Sequence, residues 1–183
     1  MGIPGAGKTT VVDMLVTKIK GTKLVNFGTI MLDAGTSTKL VKHRDEIRKL
    51  PVESQRRLQK AAAARIASMK QKLILVDTHL FIRTPEGFWP GLPFEVVRAM
   101  KPTHLVLVEA SPDEIFMRRS ADTTRYRDPA TKESLAEELS LARSFLTVAS
   151  TLTGAPISLV RNSQGRQEEV TRELVRMLEM AAQ

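Results

Sequence analysis

The sequence predicts an α/β fold, a doubly wound parallel sheet with helices on both faces. Three observations support this prediction: short β-branched runs alternate with helix-like segments, a glycine-rich loop opens the first helix, and one apolar run ends in a carboxylate. Short apolar runs are typical of buried parallel strands, and strands that alternate with helices form sheets covered on both faces. Ligands of such sheets bind at the carboxyl ends of the strands, so we expect the functional site at that edge.

Four apolar runs are interpreted as strands, and three segments beside them as helices. The predicted strands cover residues 23–27, 73–77, 104–109 and 157–160, and the predicted helices cover residues 10–19, 52–71 and 112–119. Pro51 suits the start of the second helix because proline is favoured in a first turn. Ser111, directly before Pro112, is a typical N-cap of the third helix.

Length and composition indicate one globular domain with an anionic partner. The 183 residues are enough for a sizeable core, and we expect one domain over residues 1–183. The absence of cysteine excludes disulfides and zinc–thiolate sites, and a net charge of +8 favours an anionic partner. No apolar run approaches the roughly 20 residues of a membrane span. The start of the chain lacks a signal-peptide pattern, so the expected location is the cytoplasm.

Two segments interrupt the alternation of strands and helices. Residues 36–50 are rich in Lys and Arg, and residues 118–132 combine arginines with small polar residues and show no apolar periodicity. Such composition is typical of loops. We expect both segments to form flaps within the single domain.

The strongest motif is a phosphate-binding loop at residues 2–9. The segment Gly2-Ile3-Pro4-Gly5-Ala6-Gly7-Lys8-Thr9 matches G-x-x-x-x-G-K-[ST] at every fixed position. Its glycines let consecutive backbone N–H groups point at an anion, and the following helix adds its positive N-terminal end. Lys8 is predicted to contact the β- and γ-phosphates of a nucleotide, and the Thr9 hydroxyl to bind Mg²⁺.

This motif usually follows a buried strand, and only Met1 precedes Gly2 in the sequence. Such a strand is central in a doubly wound sheet. Its loss would leave neighbouring backbone groups without partners. We interpret the start of the chain as truncated or misassigned, with an intact chain that solves the problem differently as the alternative.

A second anchor is the apolar run at residues 73–77, which ends in Asp77 and precedes Thr78 and His79. A carboxylate at the end of a strand beside a phosphate loop is predicted to hold Mg²⁺ through its water shell. A strand-terminal Asp is also common as a simple cap. The upstream phosphate loop favours the metal-binding interpretation.

Arginines cluster in the second inserted segment. Arg118 and Arg119 end the predicted third helix, and Arg125 and Arg127 follow shortly after. This cluster is suited to closing over a phosphoryl group and neutralising its developing charge. The pattern is typical of a kinase lid, and a solvated basic loop is the alternative.

Taken together, these segments resemble the archaeal-type adenylate kinases along nearly the whole chain. The resemblance rests on residues 2–10, 25–29, 44–50, 76–79, 84–88 with 91–93, 118–119, 125 with 127–128, and 161–162 with 165. It implies a nucleoside-monophosphate-kinase-like P-loop fold with moving flaps, the residue 36–50 flap on the AMP side and residues 118–132 as the lid. It also implies the reaction ATP + AMP = 2 ADP, dependence on Mg²⁺, and often a homotrimer.

The resemblance also assigns residues position by position. The residues that it implies for ATP binding are Gly2, Ile3, Pro4, Gly5, Ala6, Gly7, Lys8, Thr9, Thr10 and Asn162, and those for AMP binding are Thr29, Arg44, Arg48 and His79. The residues that it implies for catalysis are Lys8, Arg118, Arg125 and Arg127. It implies metal binding by Thr9 and Asp77. For His79, a packing role at the strand end is the alternative.

The chemistry of the acceptor separates the remaining functions. An AMP phosphate is already an anionic nucleophile, so alignment and electrostatic stabilisation suffice and no general base is needed. Another small-metabolite kinase stays open, since Asp33, Asp45 or Asp77 would serve as its base. A nucleotide-dependent RNA- or ribosome-associated protein is a second alternative, although aromatic residues make up only 4% of the chain and nucleic-acid surfaces favour them.

Overall fold

The computed structural model describes residues 1–84, 87–122 and 130–181, apart from the side chains of Asp45 and Ala181. In chain order the elements are α1 (Lys8–Lys18), β1 (Thr22–Asn26), α2 (Phe27–Ser37), α3 (Arg44–Ile47), α4 (Val52–Ala67), β2 (Leu73–Asp77), β3 (Phe81–Thr84), β4 (Gly87–Pro90), α5 (Phe94–Met100), β5 (Leu105–Glu109), α6 (Pro112–Ala121), α7 (Lys132–Thr153), β6 (Ile157–Arg161) and α8 (Gln167–Ala181). This order confirms the predicted alternation of strands and helices.

The predicted strands are found, and small corrections apply at their ends. β2 has the predicted bounds, whereas β1, β5 and β6 differ by one residue at one or both ends. Phe27, predicted as the end of the first strand, instead begins α2. The reason is that the Asn26 side chain accepts a hydrogen bond from Thr29 N at 3.0 Å and so caps this helix.

Three helix boundaries differ from the prediction. α1 begins at Lys8 and ends at Lys18, so it starts directly after the glycine loop. Pro51 is the N-cap of α4 and not its first helical residue, and α4 ends at Ala67 instead of residue 71. Ser68 closes that helix, with its hydroxyl donating to Arg65 O at 2.8 Å. α6 has the predicted Ser111 cap, and it continues to Ala121.

The inserted segments are partly helical. The first begins inside the last turn of α2 and contains α3, and the start of the second is the last turn of α6. Most of the predicted lid, residues 123–129 with Arg125 and Arg127, lies outside the described residues.

The described strands form three two-stranded sheets. β1 pairs with β2 and β5 pairs with β6, both in parallel, as predicted. β3 and β4 form an antiparallel hairpin, which the sequence analysis did not predict. Met1 lies beside β5, since Met1 N donates to Val106 O at 2.7 Å and Val108 N donates to Met1 O at 2.8 Å. These contacts hold the phosphate loop at the carboxyl end of β5.

Helices cover both faces of the strands. The evidence is that alternate side chains of one strand pack against different helices. Successive residues of a strand point to opposite faces. Leu105 and Leu107 of β5 pack in a cluster with α7, whereas Val108 packs in another cluster with α1 and α8. In the same way, Ile74 packs against α2 and α4, and Leu75 against α1 and α8. The predicted two-sided covering is therefore present.

Among the described residues, no helix combines the length and the apolar character needed to cross a bilayer.

Candidate nucleotide-binding site

The phosphate loop lies between Met1 and α1, and its glycines adopt backbone conformations that other residues rarely reach. Gly5 has φ 88° and Gly7 has φ 79°, in the left-handed region where a Cβ is unfavourable. Gly2 approaches β5 so closely that a Cβ would lie 2.6 Å from Val108 O. The loop ends at the N-terminus of α1, where helix N–H groups have no partner within the helix. The predicted anion-binding arrangement is therefore built into the backbone.

A chain of polar contacts crosses the carboxyl ends of β2 and β1. The Lys8 ammonium forms an ion pair with the Asp77 carboxylate, and both side chains are largely buried. The second oxygen of Asp77 accepts from Asn26 Nδ2 at 3.1 Å. Asn26 Oδ1 in turn accepts from the Thr29 backbone N at 3.0 Å and from its hydroxyl at 3.2 Å. Lys8, Asp77 and Thr29 were predicted as site residues, and the fold brings all three together.

The Asp77 carboxylate is ionised at neutral pH. Burial raises its pKa, but the hydrogen bond and charge of Lys8 outweigh that effect and hold the pKa below its usual value. The Thr9 hydroxyl is exposed on the neighbouring first turn of α1. A hydroxyl and a carboxylate are hard oxygen donors of the kind that Mg²⁺ prefers.

Thr9 and Asp77 fit Mg²⁺ only when phosphate oxygens and waters supply its other ligands. Within the described residues, no group of three His, Cys, Asp or Glu side chains is arranged to hold a metal ion. Mg²⁺ keeps several of its waters and takes phosphate oxygens where it can. Thr9 and Asp77 therefore suit an ion that brings phosphate and water ligands with it.

His79 lies under the phosphate loop and is mostly buried. Its Nδ1 is 3.4 Å from Gly2 O. Burial, and next the charge of Lys8, lower the pKa of His79 to about 4. The imidazole is therefore neutral at pH 7, and an AMP phosphate would meet no cation at this residue.

The depressed pKa of His79 predicts a pH-dependent stability. The folded state protonates near pH 4 and the unfolded state near 6.5, so the stabilisation present above pH 6.5 is lost as the pH falls towards 4. Between pH 7 and pH 4.5, the free energy of unfolding should fall by about 2 kcal/mol more in the protein than in His79→Gln. Urea unfolding at the two pH values measures this difference. Equal losses in both proteins would contradict a neutral buried imidazole.

Asn162 and Arg118 meet at the other side of the loop. Asn162 is 1% exposed, and its side-chain Nδ2 donates to Ala6 O at 2.9 Å. The backbone carbonyl of Asn162 accepts a hydrogen bond from Arg118 Nη2 at 3.0 Å. Both lie close to Gly7, where a Cβ would be 2.2 Å from Asn162 Nδ2 and 3.5 Å from Arg118 Nη1. Asn162 Oδ1 and Arg118 Nη1 are buried and have no hydrogen-bond partner among the residues that the structure describes. The loop is thus held by two of its predicted neighbours.

The predicted acceptor-side residues lie around α2 and α3. Thr29 is in the first turn of α2. The Arg44 guanidinium lies against Gly28, where a Cβ would be 2.4 Å from Nη2. Arg48 follows α3 as its C-cap. Thr10 is exposed on α1, next to Thr9.

Of the three carboxylates considered as general bases, two form ion pairs and the third has a side chain outside the described residues. Asp33 pairs with Arg65 at 3.1 Å on the exposed surface, and Asp77 pairs with Lys8. The Asp45 side chain lies outside the described residues.

Two residues near the site, Asn26 and Glu138, received no role in the sequence analysis, and Arg119 was placed in the arginine cluster without its contact to the phosphate loop. Asn26 connects Asp77 to α2, and only the strand register of the structure places it opposite Asp77. Arg119 donates to Pro4 O at 2.9 Å, and Glu138 accepts from Arg119 at 2.9 Å. The contacts of these two join segments far apart in the chain, so no local pattern indicates them.

Comparisons with known proteins agree with this geometry. A family described as an AAA domain matches residues 1–136. An adenylate kinase of Methanopyrus kandleri is 44% identical over 177 residues, which is 95% of this chain and 93% of that protein. Adenylate kinases of Methanocaldococcus jannaschii and Pyrococcus horikoshii are 41% and 42% identical over 183 residues, and the alignments cover 95% and 93% of those proteins.

A solved structure supports the fold. Shikimate kinase from Bacteroides thetaiotaomicron superposes with a TM-score of 0.65 over 98% of this chain and 96% of that one, at 14% identity. This likeness identifies a P-loop kinase fold, as predicted. At 14% identity it gives no information about the substrate of this chain.

Proposed function

Since this chain belongs to the archaeal-type adenylate kinase family, we propose that it transfers the terminal phosphoryl group of ATP to AMP and yields two ADP. It is a phosphotransferase with a phosphate group as acceptor. The resemblance stated from the sequence motifs is thereby confirmed at the level of the family and its enzyme class.

The observation that carries the proposal is the chain of contacts from Lys8 through Asp77 and Asn26 to Thr29. Its first member lies in the phosphate loop, which suits a nucleoside triphosphate. Its last member lies at the N-terminus of α2, where the positive end of the helix dipole favours a second anion. A donor site and an acceptor site therefore share one set of side chains, as transfer between two nucleotides requires.

Catalysis in this site reduces to alignment and charge. An AMP phosphate is an anionic nucleophile at neutral pH, so the acceptor needs no proton removed. We assign the ATP phosphates to residues 2–10, which include Lys8, with Arg118 beside them, and the adenine to the turn at Asn162. Arg125 and Arg127 stay predicted lid residues that neutralise the transferring group.

On the acceptor side, we assign the AMP phosphate to Arg44 or Arg48 and a further contact to Thr29. Their place around α2 and α3 supports this assignment. The proposed contact of His79 is that of a neutral imidazole, because its pKa is about 4. It would orient AMP by hydrogen bonding, and the arginines would supply the charge.

Mg²⁺ is the proposed cofactor, and Thr9 and Asp77 would hold it. Bound Mg²⁺ supplies charge neutralisation on the β- and γ-phosphate oxygens. The ion pair between Lys8 and Asp77 keeps both groups in place at the loop, and Asn26 fixes the second carboxylate oxygen.

We further propose one domain over residues 1–183, with residues 36–50 as the AMP-side flap and residues 118–132 as the lid. A homo-oligomer, a trimer by family resemblance, and a cytoplasmic location stay predictions. Light scattering of the purified protein measures the first of these.

A coupled assay tests the proposed function. The protein with MgATP should form ADP only when AMP is added, and the reverse reaction should make ATP and AMP from ADP. CMP, UMP, GMP and shikimate serve as alternative acceptors. Turnover with one of these in place of AMP, or turnover stimulated by RNA, would overturn the assignment.

Gly28→Ala tests the AMP-phosphate assignment. The new Cβ would occupy the place of the Arg44 guanidinium, whose flexible, exposed side chain can move away at little cost in stability. Alanine is also the better helix former by about 1 kcal/mol. We expect an unchanged or slightly raised free energy of unfolding together with a roughly tenfold higher KM for AMP.

Steady-state kinetics and urea unfolding of the same preparations measure both quantities. Thr17→Ala, on the exposed last turn of α1 and outside both flaps, is the matched control. If Gly28→Ala leaves the KM for AMP at the value of the unaltered protein, Arg44 does not hold the phosphate.

A further inference from the structure

Glu138 is a carboxylate in an unusual place. It lies on the core face of α7, between the buried Leu135 and Leu139, and is itself 7% exposed. Burying a carboxylate is unfavourable unless it is paired and hydrogen bonded. The reaction assigned above uses no group at this position. Its two partners are therefore informative.

The first partner is Arg119, near the end of α6. Arg119 Nη2 donates to Glu138 Oε2 at 2.9 Å, and Nε donates to Pro4 O at 2.9 Å. The guanidinium is planar and rigid, so these two bonds fix its plane between α7 and the phosphate loop. Glu138 thus determines where the Arg119 fork lies.

The stem of Arg119 also packs on the loop. A Cβ at Gly5 would be 3.1 Å from Arg119 Cγ and 3.4 Å from Nε. Gly5 has φ 88°, and Pro4 precedes it, so Arg119 covers the tightest turn of the loop and bonds its carbonyl. The turn that presents backbone N–H groups to phosphate is therefore held from outside by one side chain.

The second partner is Arg83, on the β3–β4 hairpin. Arg83 Nη1 is 3.8 Å from Glu138 Oε1, and its guanidinium lies 5.8 Å from the centre of the Phe88 ring. This ion pair is half exposed on the arginine side, so we expect it to contribute little. The main partner of Glu138 is Arg119.

We propose that Glu138 is a positioning residue for phosphoryl transfer, which acts through Arg119 to keep the Pro4–Gly5 turn of the phosphate loop in its anion-binding arrangement. The proposal rests on the proposed function and goes beyond it. The contacts that carry this role are those of Arg119 to Glu138 and to Pro4 O. Displacing a bound phosphate by a fraction of an ångström slows transfer strongly, because catalysis here is alignment.

Glu138→Gln is the first test, since it keeps the shape and removes the charge. We expect the kcat/KM for MgATP to fall roughly tenfold to a hundredfold, with the KM for AMP within twofold of its original value. Glu137→Gln, the exposed neighbour on α7, is the matched control and should be unchanged. Arg119→Lys keeps the positive charge but loses the fork, and should reproduce the loss even if Glu138→Gln is too unstable to assay.

A double-mutant cycle separates positioning from a merely structural role. If Glu138 acts through Arg119, then Glu138→Gln combined with Arg119→Ala should be no slower than Arg119→Ala alone. Additive losses in kcat/KM would overturn the proposal, as would Glu138→Gln with unchanged kinetics and a lowered Tm. Absence of AMP-dependent turnover in the unaltered protein would instead refute the proposed function, and these outcomes are distinct.

Discussion

Lys8→Ala should lower kcat for ADP formation by about a thousandfold. The ammonium is the cation that the phosphate loop directs at the transferring group, and its pairing with Asp77 fixes it in the site before reaction. Removing one preorganised charge that stabilises the transition state costs on the order of 10²–10³ in kcat, and phosphoryl transfer lies at the upper end. Among the changes considered for this chain, none should affect kcat more.

The measurement is the coupled assay at saturating MgATP and AMP. Lys18→Ala, an exposed lysine at the other end of α1, is the matched control and should retain full turnover. Thermal unfolding of both variants belongs beside the assay, because loss of Lys8 leaves the Asp77 carboxylate without its cation. A folded Lys8→Ala with kcat within tenfold of the original would refute the role of Lys8.

The parts of the fold that could be read from the sequence are those with a local cause. The strands are compact β-branched runs, and the Ser111–Pro112 pair caps α6 with a hydrogen bond to Glu114 N at 3.2 Å. α7 also carried a local signal, because Leu135, Leu139, Ala142 and the buried residues that follow recur at helical spacing. Its 22 residues were therefore predictable in principle.

The β3–β4 hairpin had no such signal. Its strands are four residues long, and Phe81 makes ring contacts with Phe88 at 5.0 Å and with Phe145 of α7 at 5.8 Å. Only the second of these contacts joins the hairpin to a distant element. A short pair of strands of this kind is marginal without tertiary packing.

The residues of the candidate site also form two groups, those that belong to local motifs and those whose partners only the fold brings close. Lys8, Thr9 and Asp77 belong to local motifs whose chemistry fixes their residue types. Asn26 and Glu138 act through partners 51 and 19 residues away in the chain. Nothing in their own neighbourhood in the sequence identifies those partners, and only the fold does. Sequence motifs therefore do not identify the positioning residues of the site.

Gly7→Ala should disable the phosphate loop through a clash that no other glycine of similar conformation has. Gly7 has φ 79°, where an alanine costs about 1–2 kcal/mol. Its Cβ would also lie 2.2 Å from Asn162 Nδ2. Asn162 is 1% exposed and bonded to Ala6 O, so it cannot move aside without losing that bond and disturbing its packing. Overpacking of this kind adds about 1–3 kcal/mol.

The expected result is a loss of about 2–5 kcal/mol in the free energy of unfolding and an affinity for MgATP lowered roughly a hundredfold or more. Gly21→Ala is the matched control, since Gly21 has φ 78° with nothing within 4 Å of its Cβ. It should lose only the backbone contribution and keep its affinity. Urea unfolding and titration calorimetry measure the two quantities.

Combining Gly7→Ala with Asn162→Ala isolates the clash from the backbone strain. The second change removes the amide that the new Cβ would strike, so part of the lost stability should return even though the hydrogen bond from Asn162 to Ala6 O is gone. If the double variant is less stable than Gly7→Ala, the contact between Gly7 and Asn162 is not the cause. If Gly7→Ala binds MgATP as the original does, neither the close approach of Asn162 nor the left-handed conformation of residue 7 is required for phosphate binding.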